Sequence, residues 1–449
     1  MQDLTVGPVL SHLLKTTSFM LVSMIFQTLY FLVDLFWVGR LGTDAVAAVG
    51  IAGNLTFIVL AVSQMLGVGT TTLVSHAAGR KDHVQAVYLF NQSQVLSVAA
   101  GLVFLVIASA SRSSYAHALS ADPTSRVLAE DYLLWFIPAM ALQFAMVAMG
   151  AALRGTGNFK PGMVVQTGTV MLNMALAPVL IFGWGTGMPL GVSGAALATF
   201  VSIVIGIVWI AFYFIDPKAY LQFRPAQWRP KLAVWGQMLK IGLPAGAEFA
   251  LMGVYLFVVY AVARPFGSAA QAGFGIGMRI VQAGFLPVVA LGFGVAPVAG
   301  QNFAARLPDR VRAAFRSAVI MAVCGMLSFT VIIQVAPRWF IGIFSSDPAV
   351  LAVGQEYLRI ASVTFAASGV TFVTASMFQA MGNTIPSLMT SFVRIAVGVI
   401  PTVLLAQRAG FELRWIWYLG VLSVTLQMAL NLLLVQREFR VRLGPVGDV

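Results

Sequence analysis

The chain is one pattern written twice, at a constant offset of 225 residues. Asp122-Pro123 and Tyr132 return as Asp347-Pro348 and Tyr357, and Gly157-Asn158 with Pro161 returns as Gly382-Asn383 with Pro386. Upstream, Lys15 matches Lys240, Tyr30 matches Tyr255, Gly42 matches Gly267, and the pair Gly67/Gly69 matches Gly292/Gly294. No gap is needed between about residue 14 and residue 161, and two copies account for all 449 residues. With 59% hydrophobic and only 9% charged residues, two long copies predict two membrane bundles with something held between them.

So little charge cannot keep the surface of a soluble chain wet, so the solvent is largely lipid. The net charge of +12 would suggest nucleic acid in a soluble protein. No basic helix or aromatic-basic patch supports that here, and the excess fits cytoplasmic loops beside anionic lipid. Cys324 is the one cysteine, which excludes an internal disulfide. His12, His76, His83 and His117 are scattered, and there is no HExxH, phosphate-binding loop or carboxylate pair inside a span. No enzyme, cofactor, metal centre or ATP site is expected.

Twelve apolar runs are long enough to cross ~30 Å of hydrocarbon. They fall near residues 16–38, 45–78, 84–110, 127–153, 162–183, 190–214, 236–263, 269–303, 313–336, 349–378, 386–406 and 415–436. The first has no cleavage pattern at its end and reads as a retained helix. Seventeen Lys and Arg lie on the N-terminal side of the membrane against eight on the other, which predicts that both termini are cytoplasmic. Six spans per half is an even number, so both copies enter in the same direction. The expected fold is an all-α polytopic membrane protein of two six-helix lobes related by a pseudo-two-fold along the membrane normal. Residues 1–214 form the N-terminal lobe, 215–235 a cytoplasmic linker containing Pro217, Pro225 and Pro230, and 236–449 the C-terminal lobe with a short tail.

Several pieces match recognisable motifs in order. Leu153-Arg154-Gly155-Thr156-Gly157-Asn158 follows the fourth span, and Phe378-Gln379-Ala380-Met381-Gly382-Asn383 the tenth. Gln301-Asn302-Phe303-Ala304-Ala305 closes the eighth, Asp34 to Gly42 the first, Gly242-Leu243-Pro244 opens the seventh, and Gly194 to Thr199 lies in the sixth. Together they resemble the multidrug and toxic compound extrusion (MATE) transporters over residues 12–436. The resemblance implies export of lipophilic, cationic compounds from a bacterial inner (plasma) membrane, driven by inward protons or sodium, by a monomer that needs no nucleic acid. Four positions depart from the family pattern: Phe19 replaces a proline of the first helix, Ala177 an Asp of the fifth, Ala304 a glycine closing the eighth, and Asn383 the Asp of sodium-coupled relatives. The thin acidic complement is closest to the DinF-type branch.

Asp34, in Leu29 to Phe36, is the sharpest candidate for ion coupling, because a charge inside a span costs at least ~2.5–3.5 kcal/mol and is functional by default. The competing reading is a helix-end acid facing the headgroups near Arg40. Asn173 and Thr199 are polar residues at family positions and join Asp34 as ion-coupling candidates, with sodium as the alternative to protons. Substrate binding is assigned to Asp34, Tyr30, Glu248 and Met252. Glu248 has a bland alternative, pairing with Lys240 or water. Arg279 and Arg394 stand away from loops without an assigned role. A lipid-linked sugar flippase is the nearest rival, yet it would bring more basic residues into its cleft.

Overall fold

The computed structural model describes residues 1–120, 122–185, 187–408 and 410–444, so the last five residues of the expected tail lie outside it. The described chain is helical: α1 (Val9–Gly39), α2 (Thr43–Gly79), α3 (His83–Leu119), α4 (Pro123–Gly155), α5 (Phe159–Phe182), α6 (Gly191–Ile215), α7 (Leu232–Ala263), α8 (Ser268–Ala304), α9 (Pro308–Val335), α10 (Pro337–Gly342), α11 (Pro348–Ser362), α12 (Phe365–Ala380), α13 (Ile385–Ala406) and α14 (Arg414–Leu443). Eleven are long and apolar enough to span a membrane, or twelve if the bent pair α11–α12 is one span. Large apolar side chains such as Val106, Phe212, Phe257 and Val335 are exposed, as lipid-facing residues are.

The repeated motifs act at helix ends. Asp122 and Asp347 are N-caps, their carboxylates accepting the backbone N–H of Ser125 and Ala349 at 2.8 Å, and the proline after each occupies the first turn. Hydrogen bonds from Ser125 hold the Asp122 carboxyl below its usual range, so this cap is intact near neutral pH and fails only in strong acid. Gly157 and Gly382 are left-handed, with φ of 77° and 72°. The N–H of Asn158 reaches the carbonyl of Leu153 at 3.0 Å, and that of Asn383 reaches Phe378 at 2.9 Å. Both are Schellman stops, the reason glycine is needed at these two positions.

The expected tenth span is bent by 55° between Ser362 and Phe365. Its freed carbonyls are taken up by α9: Thr330 Oγ1 donates to Ser362 O at 2.9 Å and Gln334 Nε2 to Arg359 O at 2.8 Å. A break is tolerated at membrane depth when neighbouring side chains satisfy the backbone in this way.

The helices form two compact units, Met1–Asp3 with Ser18–Gly246, and Leu4–Thr17 with Ala247–Val449. In the first unit α4 packs on α2, α3 and α6 through small residues, with Ala148, Ala151, Ala152, Ala195, Ala196 and Ala198 fully buried. The start of α7 also lies here: a Cβ at Gly69 would stand 2.5 Å from Met238 O, and one at Gly242 would fall on Met65 O. In the second unit α8 packs on α9, α11 and α12, and α13 on α14. There the start of α1 is the guest: Leu13 is fully buried, and a Cβ at Gly294 would stand 2.7 Å from Thr16 Oγ1. Gln301 and Asn302 fasten the segment before α1, the Gln301 side chain accepting from Leu4 N at 3.0 Å and the Asn302 amide donating to Leu4 O at 3.1 Å.

Residues 216–231 are strapped to α3. Asn91 Nδ2 donates to Gln222 O at 2.9 Å, and Asn91 Oδ1 accepts from Arg224 N and Trp228 Nε1, each at 2.9 Å. Gln92 Nε2 donates to Gln227 O and Arg229 O at 2.6 and 2.9 Å, while its Oε1 accepts from Lys231 N at 3.1 Å.

Candidate functional site

Three helices of the first unit bring polar groups to one point. On α6, the Gly194 to Thr199 run lets that helix approach α5, since a Cβ at Gly194 would stand 2.5 Å from Leu180 O. That approach places Thr199 Oγ1 3.2 Å from Asn173 Nδ2 of α5 and 3.0 Å from Tyr30 Oη of α1. The Thr199 hydroxyl donates to Ala195 O at 3.2 Å, so its lone pairs accept from Asn173 and Tyr30. Thr199 is thus a hub with its donor spent and both acceptor positions filled.

A cavity of about 210 Å³ opens against this hub, lined by Tyr30, Asn173 and Thr199 with Gln27, Gln143, Gln166, Phe136 and Met140 among others. Its wall mixes amide side chains with Met and Phe, a surface that suits an amphiphilic guest.

Asp34 lies one helical turn beyond Tyr30, on the same face of α1. It is half-buried, and among the described residues it makes no ion pair. Arg40 is stacked on Phe36 and Trp37, 4.7 and 5.3 Å from their ring centroids. Asp34 is within electrostatic reach of Tyr30 and of Tyr132 on α4, which is 4% exposed. Tyr132 escaped the sequence reading as a site residue, although its return as Tyr357, alongside Tyr30 and Tyr255, was the available signal. Ala177, where the family pattern has a second acid, is buried in an apolar cluster with Val38, Ile137 and Ala195.

The remaining candidates lie in the second unit. Glu248 hydrogen-bonds Ser387 of α13 rather than forming an ion pair with Lys240, and Met252 is exposed. Tyr30, Asn173 and Thr199 therefore form one cluster with Asp34 beside it, while Glu248 and Met252 belong to a different bundle. No group of three His, Cys, Asp or Glu that could hold a metal ion occurs among the described residues.

The MatE family profile matches residues 20–179 and 244–404, one match in each repeat. The chain belongs to the MatE family. This MatE protein is 28% identical over 372 residues to the multidrug export protein MepA of Staphylococcus haemolyticus (strain JCSC1435), covering 81% of this chain and 80% of that one. It is 25% identical over 382 residues to MepA of Staphylococcus aureus (strain MRSA252), covering 84% and 83%. Its fold matches an outward-facing multidrug resistance MATE transporter of the MOP superfamily with a TM-score of 0.91 at 23% identity, covering 99% and 98% of the chains. A MOP superfamily transporter from Pyrococcus furiosus Vc1 (DSM3638), described by the reverse polarity of its binding pocket, matches at 0.90, also at 23% identity and over 99% and 98%. The MatE chain is thus a multi-pass, all-helical membrane protein of a transporter family.

Proposed function

We propose that this MatE protein exports lipophilic, cationic compounds across the plasma membrane in exchange for inward protons, by alternating access, as a DinF-type member. Similarity to the two MepA proteins supports the export of drugs. The observation that carries the coupling assignment is Asp34: a half-buried carboxylate on a membrane helix, with no ion pair among the described residues, one turn from the Tyr30–Thr199–Asn173 cluster. Asp34 takes and releases the proton, Tyr30 and Asn173 hold the hub geometry through Thr199, and the cavity beside them receives the substrate. Glu248 and Met252 serve substrate in the second unit. A proton is favoured over sodium because sodium prefers several oxygen ligands, and Ala177 removes a second carboxylate from this unit. The two repeats, 1–214 and 236–449, are joined by the 215–235 linker, and both termini are cytoplasmic.

The test is transport of a fluorescent cationic dye in proteoliposomes, under an imposed pH gradient and then a sodium gradient. Wild type should respond to pH alone. Asp34→Asn keeps the shape and hydrogen bonding but cannot exchange a proton, and should insert normally yet lose gradient-driven transport. Full transport by the variant, or wild-type transport that follows sodium, would overturn the reading.

A further inference from the structure

The second unit holds a guanidinium where the first holds a carboxylate. Arg394 sits in the middle of α13, an apolar span, where a charge is costly and is retained for a use. Among the described residues it forms no ion pair. Its hydrogen bonding there is one long contact, Nη1 to Gln427 Oε1 at 3.5 Å, so most of its five N–H donors are unspent.

The surroundings are built around that group. Gln427 is buried and its Nε2 donates to Ser391 Oγ at 3.1 Å, which turns the amide oxygen toward the arginine. The guanidinium carbon lies 5.7 Å from the centroid of the Tyr255 ring. Tyr255 is seated against two glycines, since a Cβ at Gly398 would be 3.6 Å from its ring and one at Gly420 3.5 Å from its hydroxyl. Tyr357 is within electrostatic reach of both Tyr255 and Arg394. Glu248 does not answer the charge: its partner Ser387 is seven residues back on α13, about 10 Å along the axis.

The repeat gives this arrangement its meaning. Tyr255 and Tyr357 are the equivalents of Tyr30 and Tyr132, the two tyrosines beside Asp34. Both units keep the tyrosine frame, and the charge inside it is reversed. Arg394 does not descend from the position of Asp34, because its own repeat equivalent is Thr169.

We propose that Arg394, framed by Tyr255 and Gln427, is an anion-recognition subsite that takes the carboxylate of an aromatic amphiphile. The planar guanidinium pairs with the two carboxylate oxygens, and the Tyr255 ring lies against the aromatic body. The inference rests on the exporter reading and names the group that holds the carboxylate of such a substrate. Its test is binding without any gradient, so it can fail while export stands.

Rhodamine B, which has a free carboxylate, and its ethyl ester, which lacks only that charge, are the probes. Fluorescence anisotropy with the purified full chain in phosphatidylcholine nanodiscs gives both affinities. Arg394→Gln should weaken rhodamine B by about tenfold, or ~1.4 kcal/mol, and leave the ester unchanged. Arg394→Lys should retain part of the preference. Equal losses for both dyes, or no loss for either, would overturn the subsite. So would disappearance of the carboxylate preference in wild type when phosphatidylglycerol is added, which assigns the guanidinium to a lipid phosphate. If Arg394→Gln does not fold, Gln427→Glu decides: a carboxylate at the arginine must weaken rhodamine B and spare the ester.

Discussion

Thr199 is the residue on which the first unit's polar cluster turns. Removing its hydroxyl leaves a buried Asn173 amide and the Tyr30 hydroxyl without their acceptor, a loss of about 1–3 kcal/mol. Thr199→Val keeps the shape and should lower the unfolding temperature of the purified protein, while Thr199→Ser restores it. Wild-type stability in the valine variant would show that the cluster contributes nothing to the fold. Asp34, Tyr30, Asn173 and Thr199 were legible in the sequence because each interrupts an apolar run. Their meeting was not, since Tyr30 and Thr199 are 169 residues apart and no periodicity links them. Tyr132 carried a weaker signal: it returns as Tyr357, but a tyrosine in a span is equally at home at the membrane interface. Asn383 shows how a departure gains meaning from its neighbour. Its amide donates to Glu438 Oε1 at 2.9 Å, so the aspartate of sodium-coupled relatives would set two carboxylates face to face here.

At the scale of elements, the apolar runs located the spans well because length and hydropathy follow directly from bilayer thickness. What they missed depended on tertiary partners. The bend between α11 and α12 relies on Thr330 and Gln334 of α9, and α10 has only six residues, too few for a periodic signal. The 215–235 segment reads as a proline-containing linker, and nothing in that reading shows that Asn91 and Gln92 hold its backbone with buried amides. Trypsin should therefore spare wild-type protein at Lys218 and Lys231, the basic residues of this segment that no proline follows. Asn91→Ala removes the partner of Arg224 N and Trp228 Nε1 and should open these sites. Cleavage is expected with trypsin on the cytoplasmic face of inverted vesicles and not with trypsin outside spheroplasts. Cutting from outside would reverse the topology, and an uncut variant would deny the strap its role.

For the whole molecule, the repeat was the strongest signal, and it marked glycines whose function only packing could reveal. Gly69 admits the start of α7 and Gly294 the start of α1. Gly242→Leu should abolish accumulation of folded protein, because its side chain would meet the Met65 carbonyl, backbone that cannot step aside. Gly236→Leu, where a Cβ meets nothing within 4 Å, is the control and should accumulate normally. The boundary of each compact unit consequently differs from the boundary of each repeat. Residues 4–17 belong with the second half of the chain, and the start of α7, through Gly246, with the first. A gene encoding one repeat alone would yield a bundle with a vacant seat and a loose arm. Two such products could satisfy each other by trading arms, which is the geometry of a domain-swapped dimer. Fusion of two genes for such a partner-dependent ancestor would leave the trade intact inside a single polypeptide.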